Sequence, residues 1–485
     1  MGKDFPIAII GSGFAGIGAA IQLKKAGIDS FTIFERANEI GGTWRDNTYP
    51  GAACDVPSHV YAFSFEQKPD WSRAFAESGE IQEYLLGLVE KWKLRSHLRL
   101  NTEIVDARFD EAGAKWTLTT DDDSCVTARV VISGVGGLVD PSLPDIKGIE
   151  SFGGEVFHTA RWSHEHDLTG RNVAVIGTGA SAVQVVPSIA PQVAKLSVYQ
   201  RTPGWVLPKR DTVYTEAQKQ RRTRQPFRLR ALRFVKYWLS ELVGPMVFLD
   251  APRLSAIGKA GSLAHLQASV KDPELRAKLT PNFQFGCKRI LISSDYWSSF
   301  ERENVDLVTE PIEEIRHDGL QTPDGVLHAA DVIVLATGFD LGLANAPFPV
   351  TGRGGKTLDE AWKDGAVAYK GMTVSGFPNW FILMGPNTGP GHTSVLVYTE
   401  AQIEHTLQAI QRIRRDDLAF VDVKQEVQDA YNARIQGRMK HMVWSNCKSW
   451  YLNPDGSNHA LYPGFAAEYA LRTRRFRANE YELAR

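Results

Sequence analysis

Lys288 and Arg289 stand side by side immediately ahead of Ile290-Leu291-Ile292. Charge at the threshold of an apolar run is costly unless an anion meets it, so the pair points to a negatively charged group held there. Two glycine-rich loops offer the same chemistry by other means. Gly11-Ser-Gly13-Phe14-Ala15-Gly16 and Gly177-Thr178-Gly179-Ala180-Ser181-Ala182 each follow a short apolar run and open a helical pattern. In such a loop one glycine makes a tight turn, one lets backbone approach a pyrophosphate, and the last (or an alanine) permits close helix–strand packing. The helix N-terminus then turns free N–H groups toward the phosphates.

The ends of the next strands tell the two loops apart. Glu35 lies 24 positions after Gly11, and Arg201 lies 24 positions after Gly177. A carboxylate there suits a ribose 2′-hydroxyl; an arginine suits a 2′-phosphate, which it grips bidentately. The first site, with Arg36 beside Glu35, is expected to hold FAD or NAD, and the second, with Thr202 beside Arg201, to hold NADPH. A lone glycine triplet is weak evidence, but strand, triplet, helix, strand and terminal residue in register are strong.

The elements that must position these residues follow from the same patterns. Strands are expected over residues 6–10, 30–34, 172–176, 195–199, 332–335 and 380–384, each a short apolar run. Residues 385–392, Gly-Pro-Asn387-Thr-Gly-Pro-Gly-His, form another glycine-rich loop ahead of a helix running to about residue 413. The expected class is α/β, with two dinucleotide-binding (Rossmann-like) domains of which the first is discontinuous. The first comprises residues 1–150 and 341–485, the later part also carrying the substrate pocket. The second comprises 164–208 and 282–340, closing on the small-residue turn 336–340; residues 151–163 connect the two, and 209–281 are a helical insertion in the second.

Length and composition agree with such a chain. At 485 residues it exceeds one ordinary core, and 43% hydrophobic with 23% charged residues is globular composition. A net charge of −1 argues against nucleic acid or another strongly anionic partner. Cys54, Cys125, Cys287 and Cys447 are scattered with no Cys-x-x-Cys, so neither a metal site nor a dithiol centre is indicated, and reduced thiols in a cytoplasmic setting are expected. The N-terminus shows no leader pattern. The apolar stretch 234–249 is interrupted by Lys236 and Glu241 and does not read as an integral membrane segment. The insertion carries a basic run, Arg221, Arg222, Arg224, Arg228, Arg230 and Arg233, with apolar Leu229, Leu232, Phe234 and Trp238. An amphipathic basic helix can lie on a membrane surface; the favoured reading is a solvated insertion whose apolar face packs on its own protein.

Two further stretches carry a resemblance. Residues 152–162 read Phe152-x-Gly154-x-x-x-His158-x-x-x-Trp162, and residues 41–55 read Gly-Gly42-Thr43-Trp44, then Tyr-Pro-Gly, then Asp55. Both are similar to signatures of the type I Baeyer–Villiger monooxygenases, flavoenzymes that insert an oxygen atom beside a ketone carbonyl. The resemblance implies FAD at the first site, NADPH at the second, O2 and a small-molecule ketone as partners, and reaction through an FAD C4a-peroxide to an ester or lactone. It implies that Trp44, Asp55 and Tyr61 lie near the flavin, that Lys288 meets the NADP 2′-phosphate, and that Arg201, Thr178 and Ser181 bind NADPH with it. It makes Arg289 the catalytic arginine, with Asp55 orienting it, and gives His158 and Trp162 a positioning role between domains. The aromatic residues 444–451 and 461–465 look closest to the aryl-ketone branch, although pocket lining and core packing are indistinguishable there in sequence.

The competing function is a flavin monooxygenase acting on amines or sulfides, which the resemblance disfavours because those enzymes usually carry Tyr or Phe where this chain has Trp162. A flavin-binding module without activity is a third reading, against which the Lys288-Arg289 pair stands.

Overall fold

The computed structural model describes residues 5–340, 347–453 and 455–485. Two five-stranded parallel sheets dominate it. The first runs in the order Trp380–Ile382, Val130–Ser133, Ile7–Ile10, Phe31–Phe34, Leu98–Arg99. Its three central strands are apolar runs that lie between packed layers, as parallel sheets require; Ile9 and Ile33 are wholly buried. The helix Phe14–Lys25 follows the first strand, and Val395–Asp416 packs against it. A strand from residues 380–382 therefore completes a sheet begun at the N-terminus.

The second sheet runs Val305–Val308, Lys195–Tyr199, Asn172–Ile176, Val332–Leu335, Glu155–His158, again all parallel. Its last strand comes from the stretch expected to be a connector: residues 155–158 pair with 332–335 as an edge strand. The helix Ala182–Ile189 covers this sheet with Val183, Val185, Val186 and Ile189 buried.

Residues 209–281 contribute the helices Glu216–Arg224, Pro226–Phe248, Pro252–Ser269 and Pro273–Leu279. Three begin on proline, whose missing N–H costs nothing at a first helical position, and Thr215 with Gln218 forms a reciprocal cap on the other. Arg233 fastens the long helix to the first domain by donating to the carbonyls of His59, Val60 and Ala62 at 2.9, 3.2 and 2.8 Å. The expectation that this helix packs its apolar face inward is corrected. Leu229 is buried, but Phe234 and Trp238 are exposed, because Arg233, Ser240 and Glu241 occupy the inward positions.

The cysteine expectation is corrected as well. Cys287 and Cys447 form a disulfide with a Cα–Cα distance of 6.1 Å, joining positions 160 residues apart, while Cys54 and Cys125 are free. Sequence distance concealed the pair, since each cysteine sits in an unrelated local pattern.

Candidate active site

The two glycine loops have the same division of labour. A side chain at Gly11 would press on the Gly134 carbonyl at 2.6 Å, one at Gly16 would collide with the Gly11 carbonyl, and one at Gly177 with the Ala336 carbonyl. The protein itself therefore requires those three. Among the described residues, the nearest atoms to a side chain at Gly13 lie 3.9 Å away, and around Gly179 nothing lies within 4 Å. Among the described residues no contact forces glycine at either middle position, and the open space beside that backbone is the room a pyrophosphate would need. The residues fit dinucleotides in both loops. Phe14 and Ala15 are buried in the first turn of the helix that follows, Ala180 packs against the second core, and the Thr178 hydroxyl donates to the Thr202 carbonyl at 3.0 Å.

Glu35 ends its strand buried and already engaged. Its oxygens accept from Ser12 N and Oγ at 3.0 and 2.6 Å, from Ala37 N at 3.1 Å and from Arg45 at 2.9 Å. The carboxylate thus ties the glycine turn to the strand end, and in this arrangement four donors occupy its acceptor positions. Arg36 lies outward, 3.6 Å from Glu103 and 3.9 Å from Asp140.

At the matching place in the second domain two cations face each other. Lys288 lies with its ammonium 4.8 Å from the Phe283 ring centre. Burial, then the nearby Arg201 guanidinium, hold its pKa below the ordinary lysine value. Among the described residues neither cation forms an ion pair with a carboxylate. Like charges brought together without a counter-charge make an anion site.

Arg289 follows directly and turns to the other domain. Its Nη2 donates to Asp55 Oδ2 at 2.5 Å, an ion pair between residues 234 positions apart. Asp55 raises the arginine's already high pKa, with burial opposing. The ion pair holds the guanidinium from one side, and its side chain remains 43% exposed. Tyr451, buried, feels both members of the pair, and burial pushes its hydroxyl up to about 12. Lys209 is held below the ordinary lysine value by burial, and Asp211, Cys54 and Asp55 work against that.

The loop carrying Asp55 is clamped to the second domain. Gln184 accepts from Tyr49 Oη at 2.9 Å and Ala53 N at 3.3 Å, and returns an N–H to the Ala53 carbonyl at 2.9 Å. Gly51, at φ +81°, lies so close that a side chain would meet Ser188 and the Gln184 carbonyl. The Gly42-Thr43-Trp44 turn places Trp44 to donate to Tyr61 Oη at 3.1 Å, and Tyr61 in turn meets Phe14 edge-on at 5.2 Å.

The remaining expected residues fall into two places. His158 is buried; its Nδ1 accepts from Ala160 N at 3.0 Å, and burial lowers its pKa. Trp162 meets Phe157 edge-on at 5.0 Å against the second core, Phe152 packs on the far face of the same sheet, and Gly154 leads into the edge strand. Asn387 is buried in its loop, donating to the carbonyls of Asn458 and Leu461 at 2.7 and 2.9 Å. The structure thus brings Asp55, Arg289, Tyr451 and Tyr49 together, whereas His158 and Asn387 engage nearby backbone groups. Sequence reasoning missed Gln184, Tyr451 and Lys209. Gln184 left a signal, a polar side chain inside the apolar run Ala-Val-Gln-Val-Val.

Comparison with known proteins settles the lineage. A Baeyer-Villiger monooxygenase of Pseudomonas aeruginosa is 45% identical over 485 residues, covering 98% of this chain and 91% of that protein. The chain belongs to the Baeyer–Villiger monooxygenase family. A second Baeyer-Villiger monooxygenase, from Streptomyces coelicolor, is 41% identical across 99% of this chain and 92% of that protein. The pyridine nucleotide-disulphide oxidoreductase profile matches residues 8–219. Among solved structures, OTEMO in complex with FAD and NADP superposes with a TM-score of 0.89 at 28% identity over the whole of both chains. Cyclohexanone monooxygenase from a Rhodococcus species bound to NADP+ superposes with a TM-score of 0.88 at 28% identity, covering 99% of each chain.

Proposed function

We propose that the protein catalyses Baeyer–Villiger oxidation of a ketone, with FAD at the Gly11 loop, NADPH at the Gly177 loop, and Arg289 and Asp55 as the working pair. The observation that carries this reading is the Asp55–Arg289 ion pair, which spans the two dinucleotide units and leaves a fixed positive charge on an open wall. When bound, the flavin supplies the chemistry that activates O2, and the nicotinamide supplies the reducing equivalents.

The chain's own residues do the rest. Arg201 and Lys288 hold the 2′-phosphate, and the backbone at Gly179 and the Thr178 and Ser181 hydroxyls face the pyrophosphate. Trp44 and Tyr61 bound the flavin side of the cleft. Arg289 stabilises the negative charge that develops on oxygen during attack on the carbonyl; a guanidinium stays charged at every working pH and cannot give up its proton. Asp55 holds that guanidinium in one orientation. Tyr451 narrows the cleft beside it and keeps its proton, since its hydroxyl titrates far above neutrality. Residues 1–150 with 341–485 are one functional unit, residues 164–208 and 282–340 with the 155–158 edge strand are the other, and His158 and Trp162 set how they meet. Aryl ketones head the substrate classes to test.

A panel of cyclic, linear and aryl ketones alongside an aryl sulfide, scored by product, tests the reading. Ester or lactone from a ketone is expected. Sulfoxide with no ester would replace this reading with heteroatom oxygenation. In Arg289→Ala, flavin reduction by NADPH should persist while ester formation falls by about 10²- to 10³-fold or more; normal ester formation would remove Arg289 from its role.

A further inference from the structure

The helix Pro226–Phe248 is amphipathic in the opposite sense to an ordinary surface helix. Phe227, Phe234, Val235, Trp238, Leu239 and Leu242 all face solvent, with exposures of 66% at Phe227, 62% at Phe234 and 75% at Leu242. Their spacing of three and four residues puts them on one face, a stripe about 22 Å long at the α-helical rise. The other face is committed to the protein. It carries Leu229, the Arg233 clip to three backbone carbonyls, Ser240 donating to Thr393 at 2.9 Å, and Glu241, buried beside His392 at 3.6 Å. Those polar anchors fix the helix rotation, so the apolar stripe cannot turn inward to hide. Soluble surfaces seldom leave such a contiguous patch without a use for it.

Charge identifies what covers it. From Ala217 to Leu249 the sequence holds eight cations and one carboxylate, Glu241, in a chain whose overall net charge is −1. Arg221, Arg224, Arg228 and Arg230 are exposed around the start of the stripe, and among the described residues none of them pairs with a carboxylate. No helix among the described residues is long and apolar enough to cross a membrane. An exposed apolar face beside unpaired arginines is the composition of a helix that lies in a lipid interface, with side chains among the acyl chains and guanidinium groups among anionic headgroups. A second copy of the chain is a poorer occupant, because it presents the same cations and adds like charge to like.

We infer that this helix docks the protein peripherally on an anionic bilayer. The test is co-sedimentation of the full-length protein with phosphatidylcholine vesicles containing about 30% phosphatidylglycerol, against phosphatidylcholine alone. Binding to the anionic vesicles that weakens with added salt is expected. Phe234→Ser with Leu242→Ser should abolish it while the melting temperature holds, since both side chains already face water. Arg228→Gln with Arg230→Gln should weaken it about 30-fold. The inference is overturned if the protein ignores anionic vesicles, if it binds neutral ones equally, or if the serine variant binds like the parent. A dimer in light scattering that the serine variant converts to monomer would also overturn it, assigning the face to self-association. None of these readouts depends on ketone oxidation.

Discussion

At the scale of single residues, the decisive feature is the contrast between two strand ends built alike. Glu35 is saturated by protein donors, whereas Arg201 lies near Lys288 and, among the described residues, neither pairs with a carboxylate. Arg201→Ala should therefore raise the KM for NADPH about 10- to 100-fold, the worth of a charge-assisted hydrogen bond, while leaving that for NADH nearly unchanged. Equal effects on both cofactors in steady-state assays would mean that Arg201 does not meet the 2′-phosphate. Much of this was legible in sequence because strand, loop and helix have fixed lengths, so a residue 24 positions on has a defined place. The Asp55–Arg289 pairing could not be read from local patterns. Its partners are 234 residues apart and meet only because Gln184 and Gly51 hold one domain's loop against the other's helix.

At the scale of elements, apolar periodicity located six of the ten strands in the two parallel sheets to within two residues, since a buried run of four has few other homes, but left Leu98–Arg99, Val130–Ser133, Glu155–His158 and Val305–Val308 unread. It located the long insertion helix too, but not its rotation. Periodicity defines a face and says nothing of which way the face points; inward polar anchors such as Arg233 and Ser240 decide that, and their carbonyl and hydroxyl partners are far away in sequence. The helix Val395–Asp416 illustrates a different dependence. His405, fully buried within it, donates from Nδ1 to the Thr473 carbonyl at 2.7 Å and accepts at Nε2 from Tyr481 Oη at 2.9 Å. Burial and the neighbouring Lys370 hold its pKa down to about 3, and His59 is likewise held to about 3 by burial and the arginines around it. In the unfolded chain both bind a proton near pH 6.5, so stability is complete above that pH and is lost as pH falls toward 3. Urea titrations at a series of pH values should show this slope, and His405→Gln should flatten it. A slope unchanged in that variant would show that His405 is not the group responsible.

At the scale of the whole molecule, the Cys287–Cys447 bond ties the segment bearing Lys288 and Arg289 to the C-terminal part of the chain. Disulfides are uncommon in reducing compartments, so this bond implies a protected or oxidised setting for the segment it closes. Thiol titration in denaturant should find two reactive groups per chain, Cys54 and Cys125, and four after reduction. Closing a loop of this length restricts the unfolded chain by an amount worth about 5 kcal/mol in the chain-entropy treatment, so reduction should lower the thermal transition. Four reactive thiols before reduction would show the bond to be open.

The first sheet has a consequence for how the protein is made. Its strand Val130–Ser133 has no neighbour on one side until Trp380–Ile382 is available, and that segment leaves the ribosome about 250 residues later, or roughly 12 to 50 seconds at ordinary elongation rates. During that interval the second sheet, whose last strand ends at Leu335, can finish first. The nascent chain then carries a completed inner unit beside a sheet with an open apolar edge, the kind of surface that recruits wrong partners. Slow translation or a stop before Trp380 would thus leave the N-terminal third as the part at risk of aggregation, in a chain whose middle is already native.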